Sequence, residues 1–253
     1  MIVSTTEEIE NLRKAGKILA GALRHVASMV KPGVTTAALD LAAEKYIRDL
    51  GGEPAFLNYK QDGSAYPFPA SLCVSINDEV VHGIPSERRV LEEGDMVMLD
   101  LGVSYNGYFS DAAITVFAGE GDASGKKLVE ATKEALKAAI KIIKPGVRVG
   151  DIGAAIQAVA KKYNFAVVED LGGHALGLVP HEKPYIGNVG TAGKGEVLPQ
   201  GMVIAVEPIF TEGKGDIELE SDQWTYRTAD GSRSAETEHT ILITQGGCEV
   251  LTA

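Results

Sequence analysis

Residues 96–117 read MVMLDLGVSYNGYFSDAAITVF, two apolar runs joined at Asn106-Gly107. Asn-Gly between two β-rich runs is the strongest short signal for a hairpin with a two-residue type I′ turn. Such a turn pairs Gly102 with Asp111 and points Asp100 to the same face. The two aspartates are then diagonal neighbours, roughly 7–8 Å apart at the backbone. The stretch therefore predicts an antiparallel hairpin that carries two carboxylates on one face.

Two carboxylates this close on a half-buried face need a compensating positive charge, because burying unpaired like charges costs free energy. A divalent cation, or a pair of them, would supply that charge. The alternative is a strand face that lies in solvent, where both aspartates stay hydrated. The hairpin alone leaves both interpretations open.

The composition limits the classes of protein to which this chain can belong. The chain has 253 residues, 45% of them hydrophobic, which is enough for one large core or two small domains. Its net charge of −11 argues against a surface for nucleic acid or anionic membranes. It contains no apolar run long enough for a transmembrane helix, and its first residues lack the apolar region of a signal peptide. Because Cys73 and Cys248 make no disulfide framework, we expect a soluble cytoplasmic protein.

One sequence pattern occurs twice. KPGVTTAALDLAAEKYI (31–47) and KPGVRVGDIGAAIQAVA (144–160) each follow one helical segment and begin another, with Pro-Gly at the boundary. LEEGDMVMLD and LPQGMVIAVE are also alike, so that Asp100 and Glu207 take matching places in two strands. A generic helix stop at Lys-Pro-Gly is the alternative explanation.

The repeat predicts an α+β fold in which helices cover a shared antiparallel sheet. We expect residues 1–253 to form a single catalytic domain of two pseudo-symmetric halves, about 5–120 and 121–250. A second hairpin is predicted from QWTYRT (223–228), the turn ADGSR, and SAETEHTILIT (234–244).

Acids and histidines gather in these strand contexts. The four strand acids are Asp100, Asp111, Glu207 and Glu238. The histidines beside glycines, prolines or these acids are His82, His174, His181 and His239. Oxygen-rich ligation with one imidazole suits divalent first-row metals such as Mn, Fe, Co or Zn. A pair of such ions nearly neutralises four carboxylates and produces hydroxide for hydrolysis at neutral pH.

The ordered set VVHGIP, LDLGVSYNGYFSDAA, GGHALGLVPHEKP, AVEPIF and AETEHT resembles the type I methionine aminopeptidases, over about residues 5–250. The resemblance implies the pita-bread fold, a pseudo-twofold α/β sandwich that is consistent with the repeat. It also implies a dinuclear-metal aminopeptidase that removes the initiator methionine from nascent proteins. Its cofactors would be two divalent ions of Co, Mn, Fe or Zn.

Carried onto this sequence, the resemblance implies five metal ligands. Asp111 and Glu238 would bridge the two ions. Asp100 would hold one ion alone, where the α-amine of the substrate also docks. His174 and Glu207 would complete the ligands of the other ion, and Glu207 would also act as general base and proton shuttle.

Further residues would contact the substrate. By the same resemblance, His181 would hydrogen-bond the scissile carbonyl and the oxyanion formed from it, and His82 would contact the scissile amide. Local loop capping is the alternative for both. A narrow apolar pocket should fit the thioether, and its candidates are His82, His181, Tyr66, Phe68, Cys73 and Trp224. Segment 56–73 departs from the family in length and composition, so Phe56 and Tyr59 are further candidates for the pocket.

The nearest alternative is an Xaa-Pro dipeptidase or aminopeptidase of the same fold. Those enzymes usually carry a large extra N-terminal domain and a histidine shortly before the position of His174, where this chain has Asp170 and Leu171. A non-catalytic relative would have lost ligands, and all five are present here.

Nothing marks an oligomer interface, so we expect a monomer. Its substrate would bring it near the ribosome, and neither nucleic acid nor membrane is expected as a partner.

Overall fold

The computed structural model describes residues 1–60 and 65–253, and helices packed on antiparallel sheets give it the predicted α+β class. The helices of the described residues are α1 (Thr6–Met29), α2 (Thr36–Asp49), α3 (Ala123–Ile142) and α4 (Val149–Tyr163). In this part of the chain no helix combines the length and apolar character that crossing a membrane requires.

The strands of the described residues form four antiparallel sheets. The strands of the N-terminal half are β1 (Glu53–Pro54), β2 (Leu72–Ile76), β3 (Glu79–Val81), β4 (Met96–Tyr105) and β5 (Tyr108–Phe117). Those of the C-terminal half are β6 (Ala166–Val167), β7 (Gly172–Ala175), β8 (Glu182–Gly187), β9 (Val203–Val206), β10 (Ile209–Thr211), β11 (Ile217–Leu219), β12 (Tyr226–Thr228), β13 (Ser234–Glu236), β14 (His239–Thr244) and β15 (Gly247–Val250). The two larger sheets have the orders β1-β4-β2, with β5 beside β4, and β15-β14-β9-β7-β8.

The predicted hairpin is confirmed in its turn and its register. Asn106 and Gly107 both have positive φ angles, 51° and 80°, as a type I′ turn requires. Strands β4 and β5 pair along their whole length, and Gly102 lies opposite Asp111. Asp100 and Asp111 therefore share one face of the hairpin, because side chains alternate with a period of two.

Each pair of helices covers one large sheet and forms its own core. Helix α1 begins with a capping box, in which the Thr5 hydroxyl accepts from the Glu8 N–H and the Glu8 carboxylate accepts from the Thr5 N–H. Its buried face packs with α2 against β4 and β2, and α3 and α4 pack in the same way against β9 and β14. Buried residues at the centres of the two cores include Leu19, Leu39, Leu72, Leu99, Leu136, Ile156, Ile204 and Ile241.

Matching backbone hydrogen bonds occur at the two Lys-Pro-Gly turns. Gly33 N–H donates to the carbonyl of Leu91 at 2.8 Å, and Gly146 N–H donates to that of Leu198 at 2.9 Å. Both glycines have positive φ, 88° and 93°, which a residue with a Cβ adopts only at a cost. We interpret the N-terminal half (about 5–120) and the C-terminal half (about 121–250) as two copies of one motif within a single domain.

The predicted second hairpin is wrong. Strand β12 pairs with β11 and β3, whereas β13 pairs with β10, so the two segments belong to different sheets. Trp224 precedes β12 because the Asp222 carboxylate accepts from the N–H groups of Trp224 and Thr225 and holds a turn there. The last predicted strand is also interrupted before β14, where the Glu238 N–H donates to the carbonyl of Ala113 on β5 at 2.9 Å.

Candidate active site

A cavity of about 340 Å³ is lined by residues of both halves. Its ionisable lining residues are His82, Asp100, Asp111, Asp170, His174, His181, Glu182, Lys183, Glu207, Glu236 and Glu238. The aromatic and other mostly apolar ones are Phe56, Tyr59, Phe68, Cys73, Val81, Leu171, Trp224 and Tyr185. The cavity is thus lined partly by acidic residues and partly by apolar and aromatic ones.

The acids come together where β5 meets the last strands of the chain. Two threonine hydroxyls join the halves there, and each bonds both to a backbone N–H and to the carbonyl of the same residue. The Thr240 hydroxyl accepts from Asp111 N–H at 2.8 Å and donates to Asp111 C=O at 2.7 Å. The Thr115 hydroxyl accepts from Glu236 N–H at 3.1 Å and donates to Glu236 C=O at 2.7 Å. We call this junction the threonine seam.

The threonine seam sets the positions of the carboxylates. Asp111 and Glu238 are 4% and 3% exposed and lie on opposite sides of the seam. The register of the β4–β5 hairpin sets the position of Asp100. Glu207 comes directly after β9, which pairs with β14. In two groups, Asp100–Asp111–Glu238 and His174–Glu207–Glu238, ligand atoms lie within 4.8 Å of one another.

No lysine or arginine of residues 1–60 and 65–253 forms an ion pair with these acids; their nearest basic group is the His174 ring. Burial raises the pKa of Asp100 to about 7 and that of Glu207 to about 8. Burial, together with the neighbouring carboxylates, holds the pKa of Asp111 and Glu238 well above the usual range. Asp111 Oδ1 and Glu238 Oε1 are buried without a hydrogen-bond partner among the described residues. Unpaired buried oxygens of this kind are the donors that divalent cations take.

His174 supplies a nitrogen to this group. Its Nδ1 lies 3.1 Å from the carbonyl of Ala175, a contact that leaves Nε2 as the ligand atom. Nε2 is 4.0 Å from Asp111 Oδ2 and 3.8 Å from Glu207 Oε1, too far for hydrogen bonds but spaced for a cation between them. Burial lowers the pKa of His174 to about 3, so the imidazole is neutral, as ligation requires.

The other two histidines predicted for the site also line the cavity. His181 stacks at a tilt on His174, with ring centroids 4.4 Å apart, and its Nδ1 is 2.9 Å from the Tyr59 hydroxyl. By distance alone, His181 could also join Asp111 and His174 around an ion. His82 contacts Trp224 edge to face at 6.0 Å, and burial lowers the pKa of His82 to about 4.

The apolar pocket lies beside these histidines. Phe56, Phe68, Cys73 and Trp224 form one buried cluster, and the Phe68 and Trp224 rings meet edge to face at 5.3 Å. Gly102 makes room for it, because a Cβ there would lie 2.6 Å from the Phe56 ring. The prediction for Tyr66 is wrong: its side chain is 60% exposed and does not line the cavity. Residues 61–64 of the segment predicted to depart from the family lie outside the described residues.

A fifth carboxylate that was not predicted belongs to this cluster. Glu236 is 2% exposed, its carboxyl group contacts that of Glu207, and its Oε2 has no hydrogen-bond partner among the described residues. The signal was present in AETEHT, where Glu236 and Glu238 are two residues apart and an extended chain turns both to one face. The excess of acid strengthens the requirement for cations, since Lys183 is the single lysine or arginine among the described lining residues.

The sequence profile of metallopeptidase family M24 matches residues 10–245 of this chain. The chain belongs to that family. It is 48% identical to the methionine aminopeptidase of Aquifex aeolicus, over 97% of this chain and 96% of that protein. It is 39% identical to methionine aminopeptidase 1 of Bacillus subtilis, over 100% and 99% of the two chains.

Solved structures agree with this assignment to the M24 family. The crystal structure of methionine aminopeptidase from Thermotoga maritima superposes with a TM-score of 0.94 at 45% identity, covering 100% of this chain and 99% of that one. Prolidase from Pyrococcus furiosus superposes with a TM-score of 0.76 at 25% identity, and only 65% of that longer chain is covered. The pita-bread fold and the metallopeptidase class expected from the sequence are thereby confirmed, together with the divalent-metal cofactor.

Proposed function

We propose that this M24 chain is a dinuclear-metal methionine aminopeptidase that releases N-terminal methionine from peptides. One observation carries the proposal: a cluster of buried carboxylates and a neutral imidazole, short of protein counter-charge, lies beside an apolar pocket. A pocket of Phe56, Phe68, Cys73 and Trp224 suits an unbranched thioether side chain. The nearly full-length relatives named methionine aminopeptidase support the same function.

The five residues Asp100, Asp111, His174, Glu207 and Glu238 would hold the two cations. Their hard oxygens and single nitrogen fit Mn, Fe, Co or Zn, and ligand type does not select among these. When bound, the cations would lower the pKa of water and so supply the nucleophile of peptide hydrolysis.

The protein groups around them would carry the proton and orient the peptide. Glu207 would accept a proton from the attacking water and pass it to the leaving amine. His181 would donate a hydrogen bond to the scissile carbonyl and stabilise the negative charge that develops there. His82, at the apolar pocket, would contact the scissile amide.

The biological setting follows from this substrate. We infer that the protein acts as a monomer on nascent chains in the cytoplasm, close to the ribosome. A net charge of −11 supports the absence of nucleic acid and anionic membrane partners.

Peptide hydrolysis by metal-stripped and reconstituted protein tests the proposal. Met-Gly-Met-Met, Met-Pro and Gly-Pro would each be incubated with the stripped protein and after addition of Mn, Fe, Co or Zn. Metal-dependent release of methionine from the tetrapeptide is the expected result. Cleavage only before proline would make the chain an Xaa-Pro peptidase, and no cleavage with any metal would make it a non-catalytic member of the family.

A further inference from the structure

The segment between β1 and β2 places an aromatic hydroxyl against a histidine of the cavity. We call residues 55–59 and their partner Phe68 the strap. The Tyr59 hydroxyl lies 2.9 Å from His181 Nδ1, and the two ring centroids are 5.2 Å apart. The contact joins residues 122 positions apart in the chain, one from each half.

Backbone hydrogen bonds hold the strap in one conformation. Asn58 N–H donates to Phe68 C=O at 2.9 Å, and Phe68 N–H donates to Tyr59 C=O at 2.8 Å. Asn58 has a left-handed φ of 62°, a conformation that asparagine tolerates better than most residues. At its start the strap is tied to β4, because Ala55 N–H donates to Gly102 C=O at 2.9 Å. The position of Tyr59 is therefore set by the same strand that carries Asp100.

The residues next to His181 in the chain do little to hold its imidazole in place. It lies between β7 and β8, just after Leu178 and Val179, which are 57% and 48% exposed. Its ring also contacts His174, a predicted metal ligand, so a rotation of the imidazole would alter the site. A hydrogen bond to one ring nitrogen fixes both the orientation of an imidazole and which nitrogen carries the hydrogen.

We propose that Tyr59 is a positioning residue that acts through His181. Its phenol O–H donates to Nδ1, which leaves the imidazole hydrogen on Nε2. Nε2–H is then the group that donates to the scissile carbonyl. This inference rests on the proposed function, because it assigns the donor atom of a residue already given a role in hydrolysis.

A double-mutant cycle tests this coupling. Tyr59→Phe removes only the hydroxyl and keeps the ring that lines the pocket, and His181→Ala removes the group on which it acts. Steady-state kinetics would be measured for the parent, both single variants and the double variant. We expect Tyr59→Phe to lower kcat about 5- to 10-fold with little change in KM, the effect of one lost hydrogen bond. In the His181→Ala background the same substitution should have no further effect.

Tyr163→Phe is the matched control. It removes a hydroxyl that is also hydrogen-bonded, to Glu134 Oε2 at 2.8 Å, on the helical layer away from the cavity, and it should leave kcat unchanged. Thermal melting and bound-metal content would be recorded for every variant. Parental kcat in Tyr59→Phe would overturn the proposal. An equal loss in both backgrounds would also overturn it, because Tyr59 would then act independently of His181.

The cycle separates the failure of this inference from the failure of the proposed function. It is run on whichever peptide the parent hydrolyses fastest, so a proline peptidase would still report the coupling. Absence of methionine release by the parent contradicts the proposed function alone. Additivity in the cycle contradicts the positioning role alone.

Discussion

Thr240→Val should weaken the threonine seam and with it the metal site. Thr240 is fully buried, and its hydroxyl is bonded both to the N–H and to the C=O of Asp111, at 2.8 and 2.7 Å. Valine has nearly the same shape but cannot form either bond. Both backbone groups of Asp111 would then stay buried without this partner.

The size of the effect follows from these two bonds. A buried polar group left without its partner costs about 1–3 kcal/mol, so the loss of both bonds should lower the free energy of unfolding by roughly 2–6 kcal/mol. Thr240→Ser is the matched control, since it keeps the hydroxyl and loses one buried methyl group, worth about 1 kcal/mol. Because Asp111 is a predicted ligand, Thr240→Val should also lower Mn²⁺ affinity by about tenfold, whereas Thr240→Ser should not.

Urea unfolding of the metal-free variants measures the first effect, and titration calorimetry with Mn²⁺ measures the second. The reasoning is refuted if Thr240→Val is as stable as Thr240→Ser. It is also refuted if the two variants bind Mn²⁺ equally well, because the seam would then not determine where Asp111 lies.

Three further predictions concern the site. Glu207→Gln should lower kcat by at least about 100-fold while the fold is kept, because the amide cannot accept the proton; parental turnover would remove its acid–base role. His181→Ala should lower kcat without loss of bound metal, as elemental analysis would show; metal loss would make His181 a ligand, which its distance to Asp111 and His174 also permits. Metal-free protein should become less stable from pH 7 to 8.5. Burial raises the pKa of Asp100 and Glu207 to about 7 and 8, so the folded state binds more protons than the unfolded state and loses them in this range. A urea midpoint independent of pH would contradict this expectation, and added Mn²⁺ should restore stability at pH 8.5.

Local signals predicted a large part of the fold. The Asn106-Gly107 turn determined the register of the ten residue pairs between β4 and β5. Left-handed φ angles at both turn residues and a side-chain period of two allow only this pairing. The two Lys-Pro-Gly turns likewise marked the ends of α1 and α3. The metal-ligand candidates were found by combining these strand ends with a family resemblance, and the structure places their ligand atoms close together.

Errors occurred where the partner of a segment is distant in the chain. The stretch around Trp224 has the alternation of a hairpin, but β12 pairs with β3 of the other half, and the Asp222 turn takes Trp224 out of the strand. Tyr66 shared the aromatic composition of the pocket residues, yet its side chain points to solvent. Composition does not say which of several aromatic residues on one loop is buried.

The sequence by itself determined the helices, the first hairpin and the order of the acids and histidines, because these depend on sterics and periodicity within a few residues. The tertiary structure decided the threonine seam, the contact of Glu236 with Glu207 and the hydrogen bond between Tyr59 and His181. Each of these joins residues from separate elements, and each exists only once two packed surfaces have met. The chemistry of the site depends on those contacts. They set the distances between the ligand atoms and the negative charge that a pair of cations would balance.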